Sequence, residues 1–195
     1  MTPYRFEQRL LHWLIAVSLL PLFALGLWMT ARAGANLWDD QTNLLYGLHK
    51  AFGFAVLLMM MARLVLKACL AAPPYPANMS SRLALVAKLM HGLLYILLVA
   101  VPLLGWAGVT AYPALITVAG QHLPAMPLIV QNEALAKKLF AAHGTLALVL
   151  GALIIVHVCA ALKHLFINRD EIFARMWPGA ASKKLSSSRL SDLRD

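Results

Sequence analysis

The chain has 195 residues, 61% of them hydrophobic and only 13% charged, with a mean hydropathy of +0.72. Its charges are bunched between long apolar runs, which excludes an ordinary soluble domain and leaves a small integral membrane protein. The net charge of +9 does not indicate nucleic-acid binding, because the basic residues flank apolar segments, where membrane topology accounts for them.

Hydropathy predicts an all-α integral membrane fold with four transmembrane helices. The first span runs from Leu10 to Thr30 behind Arg5 and Arg9. Its apolar region of about 20 residues is too long for the core of a signal peptide. The second span, Leu45 to Leu66, carries Lys50 and Arg63 near its ends. A turn rich in proline (Pro73, Pro74 and Pro76) leads to the third, Leu83 to Thr110, which includes His91, Pro102 and Gly105. The loop from Tyr112 to Lys138 is apolar, but Pro113, Pro124 and Pro127 break it too often to cross a bilayer; it is expected to lie against the membrane surface. The fourth span, Leu139 to Ile167, holds His143, Gly144, Gly151, His157 and His164. Residues 1–178 thus make one membrane domain, and residues 179–195 a basic tail expected to be disordered. Cys69 and Cys159 form no CxxC or CxxCH, so neither a redox dithiol nor covalent haem attachment is indicated, and both are read as packing residues.

Lysine and arginine set the orientation. The side bearing both termini collects Arg5, Arg9, Arg63, Lys67, Arg82, Lys88, Lys163, Arg169, Arg175, Lys183, Lys184, Arg189 and Arg194. The other side has only Arg32, Lys50, Lys137 and Lys138. The positive-inside rule therefore places both termini in the cytoplasm.

Within that topology the histidines sort by depth. His143 and His157 share the fourth span, 157 − 143 = 14 residues apart. That is about 21 Å of helix and within about 40° of four full turns, so both imidazoles face one way at two depths. His12 opens the first span on the inner side and His49 the second on the outer side. The result is an inner pair, His12 with His157, and an outer pair, His49 with His143. Two axial imidazoles leave a haem iron six-coordinate, which suits electron transfer rather than oxygen binding. Two such centres would carry electrons across the bilayer.

His91, also near the inner face, is an alternative ligand in place of His12 or His157; otherwise it hydrogen-bonds a haem propionate or a neighbouring helix. His164 lies two turns beyond His157 on the same face, where a quinone headgroup could reach it. His122, in the outer loop, reads as a surface residue. Gly47, Gly53, Gly92 and Gly144 lie beside histidines and would let a flat porphyrin or another helix approach. Arg63, Lys88 and Arg9 on the inner side and Lys50 on the outer side are propionate partners or snorkel to lipid phosphates. Trp13, Trp28, Trp106 and Tyr112 read as interfacial aromatics. A divalent-metal site built from the same histidines is the reading from a different class, binding or transport. The pairs lack Asp, Glu or Cys partners at zinc spacing. The mid-helix segments VSLLPLFAL and LVLGALIIV offer no polar route for transport.

The ordered set of local motifs resembles the prokaryotic cytochrome b561 family. They are HW at His12–Trp13, LHKAFG around His49, ARLVLK closing the second span, KLMHGLLYILLVAVPLLGW from Lys88, AAHGTLA around His143, and VHVCAALKH ending at His164. The resemblance covers nearly the whole chain. It implies two haem b groups in the bacterial inner membrane, one ligated by His12 and His157, the other by His49 and His143. It also implies quinone contact near His164, with ubiquinone as acceptor. One activity in the family is oxidation of superoxide outside the membrane, favoured by a positive outer surface. Here Arg32, Lys50, Lys137 and Lys138 face Asp39, Asp40 and Glu133, a net of 4 − 3 = +1. The alternative within the family is a membrane haem b subunit of a larger oxidoreductase with a periplasmic partner.

Overall fold

The computed structural model describes residues 3–74 and 79–177. Pro76 and the basic tail from residue 179, with the expected domain boundary, lie outside the described residues. Four long helices account for most of the rest: α1 Phe6–Gly34, α2 Asp40–Cys69, α3 Ser81–Ala111 and α4 Glu133–Lys163. Each is longer than the apolar run that announced it, because its first turn is fixed by polar capping outside the greasy segment. The side chains of Asp39, Ser80 and Asn132 accept hydrogen bonds from the backbone N–H of Thr42, Leu83 and Leu135, closing the exposed starts of α2, α3 and α4. The Gln8 side-chain Oε1 reaches back to accept from the Arg5 N–H at the start of α1. Hydropathy places the start of α4 at Leu139, six residues late, because its first two turns carry Glu133, Lys137 and Lys138. Pro21 and Pro102 sit inside α1 and α3, and both helices continue through them.

The helices run alternately up and down. The terminal end holds Phe6, Cys69, Ser81 and Lys163; the far end holds Gly34, Asp40, Ala111 and Glu133. α1 packs most closely on α2 and α3 on α4, with α2 and α3 joining the two pairs less extensively. One apolar cluster gathers Ile15, Leu22, Val56 and Met60; a second gathers Leu94, Leu97, Val101 and Leu150. The outside is as greasy as the inside, with Leu20, Ile96, Leu148 and Ile155 all exposed. In water each of these would cost the full hydrophobic penalty, whereas hydrocarbon removes it. Each of the four helices is long and apolar enough to cross a bilayer. This is a membrane protein.

Both ends of the bundle are closed by short irregular segments. At the far end, Leu115 to Leu123 fold into a small hairpin, with Ile116 bridged to His122 and the Thr117 N–H bonded to the Gln121 carbonyl. At the terminal end α4 gives way to a single π turn, His164–Asn168. Arg169 then adopts a left-handed conformation, φ 49°, and the chain reverses. It returns to α1, where the carbonyls of Met176 and Trp177 accept hydrogen bonds from Trp13 and Arg9, both at 2.9 Å. The Arg175 guanidinium reaches the Pro74 carbonyl at 2.8 Å, tying the same segment to the chain leaving α2.

Candidate functional site

The four depth-sorted histidines meet in two pairs. At the far end, His49 of α2 faces His143 of α4 with ring centres 6.0 Å apart and planes at 85°. At the terminal end, His12 of α1 faces His157 of α4 with ring centres 6.4 Å apart and planes at 82°. An iron bound at about 2 Å from each imidazole nitrogen, each nitrogen about 1 Å from its ring centre, requires about 6 Å between centres. Both pairs meet that requirement.

The far pair is also oriented for ligation. The His143 Nδ1–H donates to the Val101 carbonyl of α3 at 2.8 Å, which leaves its other nitrogen for a metal. The Nδ1 of His49 is buried and turned toward the Leu22 carbonyl of α1 without a well-formed hydrogen bond. Each ring lies against a glycine four residues beyond the carbonyl it faces. A Cβ at Gly105 would come within 3.0 Å of the His143 ring, and one at Gly26 within 3.3 Å of the His49 ring. Leu22 with Gly26 on α1, and Val101 with Gly105 on α3, therefore make two matching notches that seat the far rings. Sequence reading singled out Gly47, Gly53, Gly92 and Gly144 instead. A Cβ at Gly92 or Gly144 would meet nothing within 4 Å, so both border open space. Gly47 lies under the hairpin, its Cβ position 3.2 Å from the Val118 nitrogen, and Gly53 merely contacts Leu22. The missed signal was a glycine on the helix opposite the histidine, which neighbours in sequence cannot reveal.

The terminal pair has a third ring beside it. His91 of α3 sits 5.4 Å from His157, nearer than His12, with its Nδ1–H given to its own helix at the Ala87 carbonyl, 2.6 Å away. Arg63 of α2 lies close enough to act electrostatically on His12 and His157. Its guanidinium also donates to the Gln8 carbonyl at 2.8 Å and to the Tyr95 hydroxyl at 3.0 Å, so it stands braced at the edge of the pair. Lys50, one residue from His49, donates to the Ala114 carbonyl at 2.9 Å and to the Ile116 carbonyl. It clamps the hairpin over the far pair. Arg9 is buried under the returning C-terminal segment, and Lys88 is exposed on α3. His122 is exposed in the hairpin.

His164 is where the sequence placed it, beyond His157 at the terminal end, but it is not alone. Its Nδ1–H donates to the Asp170 carboxylate at 2.6 Å, and the Asn168 amide lies 3.2 Å from the same nitrogen. Sequence spacing does not pair Asp170 with His164, because six residues of regular helix would put it about 120° round the helix and about two turns away. Burial opposes its ionisation; hydrogen bonds from His164, the Ile172 N–H and Asn168 outweigh this and hold its carboxyl below the usual carboxylate range.

These features fit haem. The far pair offers a buried ring nitrogen without a proper partner, glycine notches that an added Cβ would fill, and open space beside Gly144. Both pairs offer two neutral-capable nitrogen donors apiece, and no group of three or more His, Cys, Asp and Glu able to hold a bare metal ion occurs among the described residues.

Residues 4–179 match the family model of the prokaryotic cytochrome b561. The chain is 33% identical over 179 residues to Cytochrome b561 homolog 2 of Escherichia coli (strain K12), covering 90% of this chain and 92% of that protein. It is 29% identical over 136 residues to "Probable superoxide oxidase CybB" of Yersinia pestis, covering 67% of this chain and 73% of that one. The chain belongs to the prokaryotic cytochrome b561 family, whose members bind haem b, and is a membrane electron-transfer protein.

Proposed function

We propose that this member of the prokaryotic cytochrome b561 family carries electrons through two haem b groups, from a one-electron donor outside the bacterial inner membrane to the ubiquinone pool. The observation that carries the reading is the pairing of four imidazoles at two depths, 6.0 and 6.4 Å between ring centres. His49 and His143 hold the far haem, His12 and His157 the terminal one, and both chain termini face the cytoplasm, as the lysine and arginine bias supports. Bound haem supplies reversible one-electron chemistry at iron.

The chain's own residues do the rest. Each histidine pair would supply two imidazole nitrogens to its haem, which suits electron transfer rather than oxygen binding. The Val101 carbonyl fixes the His143 tautomer, and the notches at Gly26 and Gly105 hold the far rings in place. Lys50 pins the hairpin above the far pair and limits water there. Arg63 places a cation at the edge of the terminal pair, suited to a haem propionate. His164, at the terminal end, is the residue assigned here to the quinone headgroup.

Superoxide is the donor that the name of the Yersinia pestis relative supports. A second reading, a protein donor docking on the far end, is favoured by charge. Of the four far-end cations, Arg32 is tied to Asp39 and Thr42, Lys50 to the hairpin and Lys137 to Glu133, which leaves a weak field for steering an anion. The test is an oxidised-minus-reduced absorption spectrum of purified protein with haem counted per chain. Two low-spin haems b are expected, reduced by superoxide or by a periplasmic partner and re-oxidised by ubiquinone. Protein purified free of haem from a haem-replete host overturns the reading.

A further inference from the structure

The end of α4 departs from helical geometry at one place, and it does so around a titratable pair. At His164 the regular helix widens into a π turn, Arg169 takes a left-handed conformation, and Asp170 is thereby folded back onto the His164 ring. A π turn and a left-handed arginine are both costly relative to continuing the helix or ending it on glycine. What the distortion achieves is a 2.6 Å contact between the His164 Nδ1–H and the Asp170 carboxylate, with the ring 16% and the carboxylate 34% exposed. The Asp170 carboxylate also accepts from the Ile172 N–H at 3.0 Å, which fixes its own rotamer. A ring held at Nδ1 by a rigid carboxylate presents Nε2, and only Nε2, for proton exchange. The lysines and arginines of the neighbourhood do not make this contact; Arg175 is turned to Pro74 and Arg9 to Trp177.

We propose that Asp170 is the positioning residue of a histidine–aspartate proton relay, with His164 delivering a proton to the quinone, an inference that rests on the quinone-reducing reading above. Ubiquinone takes two electrons, arriving singly from the one-electron donor by way of the haems, and two protons, to become ubiquinol. The ring, resting with its proton at Nδ1, first takes a proton at Nε2 from water at the terminal end, and the Asp170 carboxylate steadies the resulting imidazolium. As one quinone oxygen gains electrons, that Nε2–H bond breaks, an O–H bond forms and the ring returns to its Nδ1–H form, while water supplies the second proton at the other oxygen. Asp170 keeps the Nδ1–H throughout and is not itself consumed.

Asp170→Asn is the informative change, since its amide oxygen still serves the Ile172 N–H and the turn. Its NH2 then faces His164 Nδ1, which reverses the tautomer and leaves Nε2–H as the resting form with no acceptor behind Nδ1. Two readouts test the proposal on the full-length haem protein. In 15N-histidine spectra, His164 is expected to be Nδ1-protonated in the wild type and Nε2-protonated in Asp170→Asn, with the absorption spectrum of the haems unchanged. In stopped flow, with haems pre-reduced by dithionite and short-tailed ubiquinone as oxidant, Asp170→Asn is expected to re-oxidise about 10-fold or more slowly at saturating quinone, with the quinone concentration for half-maximal rate little changed. His164→Gln is expected to be at least as slow, and adding Asp170→Asn to it to cost nothing further, because one relay cannot be broken twice. Additive losses, an unchanged tautomer, or a wild-type rate in Asp170→Asn overturns the relay and leaves the quinone reading standing. Failure of ubiquinone to re-oxidise the wild type overturns both.

Discussion

Gly105→Ala tests whether the notches are built for the rings or are ordinary helix contacts. The new Cβ would stand 3.0 Å from His143 Nδ1 and 3.1 Å from Cε1, whereas ordinary contact begins at 3.4 Å, so the ring must retreat by 3.4 − 3.0 = 0.4 Å. Retreat stretches the Nδ1–H bond to Val101 from 2.8 Å toward about 3.2 Å, the edge of a hydrogen bond. It also exceeds the roughly 0.2 Å tolerance of a metal–ligand distance. Overpacking of this kind costs about 1–3 kcal/mol. At about 1.4 kcal/mol per factor of ten, the far haem should be held about 5- to 150-fold less tightly. The assay is haem per chain after gel filtration, with a redox titration to assign which centre remains. The expected product keeps the terminal haem and loses part of the far one. Gly34→Ala, where an added Cβ meets nothing within 4 Å, is the control and should retain both. Full haem content and an unchanged far-end potential in Gly105→Ala would refute the notch argument.

Other substitutions separate the remaining roles. His157→Ala should remove the terminal haem and leave one per chain, while His91→Gln should keep two low-spin haems; a high-spin terminal centre in His91→Gln would instead make His91 a ligand. Trp13→Phe loses the hydrogen bond to Met176 and part of the packing on Trp177, costing about 1 kcal/mol, and should raise hydrogen exchange at residues 173–177 severalfold without changing the haem spectrum. At the far end, hydrogen bonds from the Thr42 N–H and the Arg32 guanidinium hold the Asp39 carboxyl down to about 2. A carboxylate depressed in the folded state contributes stability that is fully present above its unfolded value of about 4 and is lost as pH falls through about 2. Exchange protection at the start of α2 should therefore weaken between pH 4 and 2 in the wild type, and Asp39→Asn should flatten that response.

The four spans and the sorting of histidines by depth were readable from the sequence because both follow from periodicities that a helix imposes on its own residues. The two pairs closed in space as the spacing required. What stayed hidden depends on contacts between helices or on departures from helical geometry. Gly26 and Gly105 matter through rings on α2 and α4, not through anything beside them in the chain. Asp170 reaches His164 because a π turn replaces regular helix. Lys50 and Arg63 also brace the hairpin and the start of α1, contacts that their sequence neighbourhood does not distinguish from those of a snorkelling cation. The start of α4 lies ahead of the hydropathy boundary because charges in its first two turns look like loop to a hydropathy window.

The return of the C-terminal segment to α1 bears on how the protein is made. Trp13 and Arg9 leave the ribosome early, yet their partners, the carbonyls of Met176 and Trp177, emerge only after all four helices. During synthesis, then, the terminal end stands unlatched while the helices are already in the bilayer, and the latch shuts last. Until it shuts, the ends of α1 and α4 that carry His12 and His157 lack this strap, so closure beside the inner histidine pair comes last in assembly.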